Sequence, residues 1–301
     1  MNSRPDRVVV GYDGSAAAAV AVEWAAAEAK RRGVRLTVLH AADYTVVIPG
    51  RLPLEANPLE AAAMGVTDEG VDWARKIAGD LDVEGETHVA RVAPALIEAS
   101  DDAALLVVGS RGRGELTGAL LGSVAFAVTA HAHCPVVVVR ADAAMRPGPD
   151  RPVVVGIDTW PGTEAQLRFA ATVAVQTSAP LVVLSAYRAV YTESGAPTLY
   201  WALEVEGAVQ FERLARQVAL DASDAAAATA TTEFPGLEVR PTVMEGRPAH
   251  VLARVATGAG LLVVGARGEG GFAGLRLGSI THTVLHDAPC PVAVVHDGRE
   301  D

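Results

Sequence analysis

Two glycine clusters in this chain stand where backbone must come close to something other than a side chain. Gly109-Ser110-Arg111-Gly112, nine residues, then Gly122-Ser123 recurs as Gly265-Ala266-Arg267-Gly268, nine residues, then Gly278-Ser279, at an unchanged offset of 156. Glycine leaves backbone N–H groups accessible, and the group that most often sits against them is a phosphate. If Gly122 and Gly278 each open a helix, the glycine turn and the helix N-terminus face one anion from two directions, with the Ser123 and Ser279 hydroxyls as further donors. Gly112 permits a positive φ in its turn. Arg111 and Arg113, with Arg267 at the matching place in the second copy, can neutralise phosphate charge or simply stand in solvent. Asp13, followed by Gly14-Ser15, is a carboxylate beside a helix opening. There it can cap the helix or accept a hydrogen bond from a base or sugar. The second copy keeps the acid as Asp158 and loses the Gly-Ser after it.

The chemistry these residues do not supply is as informative. The chain lacks G-x-x-x-x-G-K-[ST], and its only lysines, Lys30 and Lys76, lie outside the repeated glycines. A P-loop ATPase mechanism is therefore unsupported. No Ser/His/acid set is evident, and no carboxylate pair near Gly122-Ser123 is spaced to hold magnesium. Glu115 has only Gly271 at the matching place. Without a metal anchor or a fixed general base, hydrolysis is expected to be slow if it occurs at all. His131-Ala132-His133-Cys134 is answered by Asp287-Ala288-Pro289-Cys290, so no metal cluster is expected there. His88, His250, His282 and His286 share no spacing that suggests catalysis. Cys134 and Cys290 hold the same place in each copy and read as small buried residues. The formal charge of −11 argues against nucleic acid, which needs a basic footprint.

The elements that must position these groups repeat as well. Val8-Val9-Val10-Gly11 returns as Val153-Val154-Val155-Gly156, and Leu36–Ala41 as Leu181–Ala186, both at an offset of 145. The offset is 156 for Leu105–Gly109 against Leu261–Gly265 and for Cys134–Val139 against Cys290–Val295. The second copy thus carries a net insertion of eleven residues between Ala186 and Leu261. So long a period means duplication of a whole domain. Domains at 1–142 and 151–301, joined by a linker at 143–150, are expected.

In the first copy, strands are predicted at Val8–Tyr12, Leu36–His40, around Val89, Leu105–Val108 and Val136–Val139. In the second they fall at Val153–Ile157, Leu181–Ser185, Val239–Val243, Leu261–Val264 and Val292–Val295. All are short β-branched runs suited to strands buried on both faces. Helices are predicted at Ala16–Arg31, Glu69–Asp80, Ala95–Asp101 and Val124–His131. Strand alternating with helix gives an α/β fold, two tandem doubly wound parallel-sheet domains, with ligands at the carboxyl ends of the strands. Tyr44–Ala63, with Pro49, Pro53 and Pro58, is read as a flap near the site. The apolar final strands invite edge pairing. No apolar run reaches the ~20 residues of a membrane span, and Met1–Asp6 shows no apolar leader, so the cytoplasm is the default expectation.

G-x2-G-x9-G-S after the fourth strand, V-x-x-D at the first and a terminal C-P-V-x-V-V strand resemble the universal stress protein family in its tandem form, over nearly the whole chain. The resemblance implies a Rossmann-like, adenine nucleotide alpha-hydrolase-like fold that holds ATP, with Mg2+ left open. It places Asp13 and Ala41 at the adenine and ribose end, Gly109 at the ribose, and Gly112, Gly122 and Ser123 on the phosphates. Asp158, Ala186, Gly265, Gly268, Gly278 and Ser279 would serve the second site. Trp160, where the first copy has Ser15, can stack on a base or obstruct it. A nucleotide-dependent sensor or regulator is the leading expectation. A slow ATP-hydrolysing enzyme and an interaction scaffold with degenerate pockets are the alternatives. The resemblance also implies that the last strands of the two halves meet, and that a homodimer repeats the contact.

Overall fold

The computed structural model describes residues 7–42, 56–112, 121–143, 145–158, 163–188, 205–267 and 277–296. The chain divides into two compact units, Met1–Ala144 with Cys290–His296, and Met145–Pro289 with Asp297–Asp301.

In the first unit, strands β1 (Arg7–Gly11), β2 (Arg35–Ala41), β3 (Val83–His88), β4 (Leu105–Gly109) and β5 (Val136–Val139) alternate with helices α1 (Ala16–Arg32), α2 (Ala56–Ala78), α3 (Val92–Ala99) and α4 (Ser123–His131). The strands run parallel in the order β3-β2-β1-β4-β5. Val8, Val9, Val10, Leu105, Leu106 and Val107 are fully buried, as central parallel strands require. Alanines at 17, 18, 21, 25, 26 and 29 let α1 lie close on the sheet. It stops at Gly33 in the left-handed region, whose N–H bonds the carbonyls of Ala29 and Lys30.

Two expectations need correction. The third strand ends at His88, and Val89, 58 % exposed, lies beyond it. Helix α2 starts at Ala56, so residues 56–63 of the proline-bearing segment are helix, and residues 44–55 lie outside the described residues. Pro58 falls in the first turn, where a missing N–H breaks no helical bond. Further along, α2 docks through glycine. A Cβ on Gly70 would stand 2.7 Å from the Tyr12 ring, and one on Gly85 of β3 would stand 2.8 Å from the Thr67 methyl.

The second unit repeats the plan with β6 (Val153–Ile157), β7 (Leu181–Tyr187), β8 (Val239–Glu245) and β9 (Leu261–Gly265), parallel in the order β9-β6-β7-β8. Its helices are α5 (Thr163–Thr177), α6 (Val205–Glu233), α7 (Pro248–Val255) and α8 (Ser279–Asp287). Helix α6 has 29 residues where α2 has 23. It is pinned to the sheet by buried Ser223, whose hydroxyl donates to the Val183 carbonyl at 3.0 Å and accepts from the Thr242 N–H at 3.1 Å. Within the expected linker, Gly148 and Arg151 close an antiparallel bridge, with N···O distances of 3.1 and 2.9 Å. The preceding backbone at Arg146 and Pro147 lies so close to Gly260 that a Cβ there would overlap it. Residues 146–151 are therefore packed chain and not a loose tether.

The last strand, β10 (Val292–Val295), completes the sheet of the first unit. It runs antiparallel to β5, with Val292 opposite Val138, Ala293 opposite Val137 and Val294 opposite Val136. His296, next in sequence, places Nε2 2.9 Å from the Thr129 carbonyl on α4. The final strands of the two copies thus meet within one chain.

Candidate functional site

In the first unit the strand order reverses between β1 and β4, so the chain leaves their carboxyl ends in opposite directions and opens a crevice there. Asp13, Gly14 and Ser15 leave the end of β1. Gly14 has φ 77°, which glycine adopts without strain. Ser15 is the N-cap of α1, its Oγ accepting from the Ala18 N–H at 3.2 Å. Of the two roles open to Asp13, the helix cap therefore belongs to Ser15. Asp13 instead accepts the Ser15 N–H on Oδ1 at 3.0 Å, a turn that aims the carboxylate across the crevice.

Ser110, Arg111 and Gly112 leave the end of β4 on the facing side. The Ser15 hydroxyl lies 3.5 Å from the Arg111 carbonyl, and the Gly122 N–H bonds the Ser110 carbonyl at 2.8 Å. One turn is thereby joined to the starts of two helices. Gly122 is the N-cap of α4 with φ −66° and ψ 149°, and it supplies no side-chain cap bond. The first N–H groups of α4, beginning with that of Ser123, have no partner within the helix. They carry the helix's partial positive charge.

The glycines are required for reasons the sequence reading only partly anticipated. Gly112 does not take positive φ. A Cβ on it would stand 2.6 Å from Asp13 Oδ2, so its role is close approach to that carboxylate. Gly109 admits the backbone of Ala17, whose carbonyl carbon would lie 2.9 Å from an added Cβ. Arg111 is half-buried at the rim. The Arg140 guanidinium, bonded to Asp142, holds that carboxyl below its usual range, with Arg111 adding to the effect. Ala41, buried at the end of β2, is paired in register with His88.

His40, beside Ala41, was not singled out from sequence. It is buried, with Nδ1 2.8 Å from the Tyr12 carbonyl, so Nδ1 carries the proton and ties β2 to the residue before Asp13. Its signal was a histidine inside the apolar run Leu36–Ala41. Position 185 in the second copy is serine, which hid the histidine from a comparison of repeats.

The second unit rebuilds part of this arrangement. Gly278 caps α8 with φ −71° and ψ 153°, and its N–H bonds the Ala266 carbonyl at 2.8 Å, reproducing the bond at Gly122. Ser279 opens the helix, and Arg267 is exposed. Ala186 pairs in register with Met244, and Asp158 follows β6. Two side chains without counterparts enter here. Gln166 donates from Nε2 to the Gly156 carbonyl at 2.7 Å and lays its Oε1 against Gly265, while Thr281 donates to the Gly265 carbonyl at 2.8 Å. The first copy has Ala21 and Ala125 at these places. Gly268, Trp160, Arg113, Glu115 and Gly271 lie outside the described residues.

Elsewhere, His133 Nδ1 lies 2.5 Å from Asp101 Oδ1, and among the described residues no group of three or more His, Cys, Asp or Glu side chains is placed to hold a metal. Both cysteines are buried and neither is in a disulfide, and burial pushes the Cys134 thiol up to about 12. No described helix is long and apolar enough to cross a membrane.

Two successive doubly wound α/β units, each with a glycine-capped helix at the point where its strand order turns, define a tandem-repeat protein of the Rossmann-like class. The family model for the universal stress protein family matches residues 5–140 and again 151–296, and the chain belongs to that family. Universal stress protein Rv2623 of Mycobacterium tuberculosis is 34% identical over 299 residues, covering 96% of each chain. A second relative from that organism, universal stress protein Rv2005c, is 33% identical over 298 residues, covering 95% of this chain and 96% of its own. The crystal structure of a universal stress protein from Archaeoglobus fulgidus covers 98% of this chain and all of its own at a TM-score of 0.66. At 22% identity it speaks to the fold.

Proposed function

We propose that this protein binds ATP at the carboxyl ends of its strands and acts in the cytoplasm as a nucleotide-dependent sensor or regulator in the stress response. The observation that carries the reading is the convergence of two helix starts, capped by Ser15 and Gly122, on the single turn Ser110–Gly112. That arrangement offers backbone N–H groups and helix charge to phosphate, and the Asp13 carboxylate stands across from them as an acceptor for ribose or base. In this reading Asp13, Gly14, Ser15, Ala41, Gly109, Arg111, Gly112, Gly122 and Ser123 form one site. Asp158, Ala186, Gly265, Arg267, Gly268, Gly278 and Ser279 form a second, the two belonging to domains at 1–142 and 151–301. Turnover is at most a weak ATPase activity, because the turn offers donors and neither a general base nor a metal anchor.

The test is the nucleotide content of freshly purified, denatured protein, read by chromatography. Wild type, Gly112→Ala, Gly268→Ala and the double variant are compared. Near two ATP per chain, falling by one with each single change, supports two working sites. ATP lost with Gly112→Ala alone confines binding to the first unit. No nucleotide in the wild type, and no uptake on titration with ATP, overturns the reading in favour of a scaffold.

A further inference from the structure

Helix α8 carries two histidines that have no part in the site above, His282 and His286. They stand four residues apart in sequence, about one helical turn, so their side chains leave the helix on the same side. His282 is exposed and His286 half-buried, whereas Val284 and Leu285 between them turn into the core. The two imidazole rings lie side by side, their centroids 4.7 Å apart and their planes tilted by 47°. The first copy has Phe126 and Ala130 at these places, so the pair belongs to the second unit alone and not to the duplicated glycine cradle.

Two imidazoles at this spacing on one helix face are the means by which a helix grips a transition metal from one side. Nitrogens held at about 2.0–2.1 Å from one tetrahedral ion stand about 3.3 Å apart. Ring nitrogens lie off the centroid, so rings with centroids at 4.7 Å reach that separation by side-chain rotation alone. Imidazole nitrogen suits Zn2+, Ni2+ and Cu2+, whereas Mg2+ and Ca2+ take oxygen ligands. His286 stands in the last turn of α8, where the helix's partial negative charge favours a cation. A zinc protease helix with two such histidines has a glutamate directly after the first as general base. Thr283 follows His282 instead, and its hydroxyl donates to the Ser279 carbonyl at 3.0 Å. The pair is therefore equipped to hold an ion and not to hydrolyse with it.

We propose that His282 and His286 form a chelating site on α8 for a divalent transition metal ion of the zinc, nickel and copper group. Two ligands come from the chain, and water fills the remaining positions. A structural zinc site is closed by four protein ligands, so an ion held by two exchanges with solvent. The site stands apart from the nucleotide reading, because neither histidine belongs to the residues assigned to phosphate, ribose or base.

Isothermal titration of the full, untagged chain with zinc chloride, nickel chloride and magnesium chloride is the test. Wild type is expected to bind one Zn2+ or Ni2+ more tightly than any other and to ignore Mg2+. His282→Ala and His286→Gln each weaken that binding by about ten- to a hundredfold, since the second bond of a chelate forms at high effective concentration. The double variant is no weaker than either single one, because either change removes the whole chelate. His131→Ala, an exposed histidine on α4, leaves the constant at its wild-type value. Neither ring fills the core, so circular dichroism of each variant is expected to match wild type. A wild type that takes up neither Zn2+ nor Ni2+ overturns the proposal, as does binding that His282→Ala or His286→Gln leaves unchanged. Losses that add in the double variant show two separate single-histidine sites and overturn the chelate.

Discussion

Gly112→Ala tests how the turn after β4 is held against the start of α1. The added methyl would stand 2.6 Å from Asp13 Oδ2, where ordinary contact is about 3.5 Å, so the carboxylate must retreat by most of an ångström. It is not free to do so, because Oδ1 holds the Ser15 N–H at 3.0 Å and Ser15 in turn caps α1. A hydrogen bond to a charged acceptor contributes about 1.5–3 kcal/mol, and straining it without breaking it is expected to cost about 1–2 kcal/mol. Urea unfolding of the ligand-free protein reads that cost directly. In an Asp13→Ala background the obstacle is gone, and the same glycine change should cost under ~0.5 kcal/mol. An equal cost in both backgrounds would show that the clash with Asp13 is not what the glycine avoids. If ATP requires this turn, the same strain appears as a Kd raised by roughly five- to thirtyfold.

Two further outcomes follow from packing and burial. Gly260→Ala drives a methyl into the Arg146-Pro147 backbone, which cannot rotate away, and should lower stability by about 1–3 kcal/mol in urea titration. Burial raises the Cys134 thiol from 9.0 to about 12, so the folded protein keeps its proton where the unfolded chain gives it up. Stability from this source is intact below about pH 9 and falls as the pH climbs towards 12. Melting curves between these limits should flatten in Cys134→Ala, and a thiol reagent at pH 9 should label unfolded protein far faster than native.

Most strands legible from sequence are buried on both faces, since runs such as Val8-Val9-Val10 and Leu105–Val108 are continuously apolar in both copies, although the border strand β8 was legible too at Val239–Val243. The third strand was misplaced because it is an edge. Glu84, Gly85 and Glu86 interrupt its hydrophobic pattern with charge suited to an unpaired border. The start of α2 was hidden by prolines that read as loop, although Pro58 is compatible with a first turn. The glycine loop and the helix starts at Gly122 and Gly278 were legible from spacing. The reason for Gly112 was not, because close approach to Asp13 depends on bringing together residues a hundred positions apart. Gln166 and Thr281 could not be found by comparing the copies, since alanine stands at both places in the first.

The pairing of β10 with β5 bears on how the chain is made. Some 150 residues lie between these two strands, and at about 5–20 residues per second the ribosome takes roughly 8–30 s to deliver the second after the first. The first unit can collapse around β1 to β4 early, but its sheet keeps an open apolar border until residues 292–295 have been made. A nascent chain stalled before residue 292 exposes the border strand most prone to seek a partner on another chain.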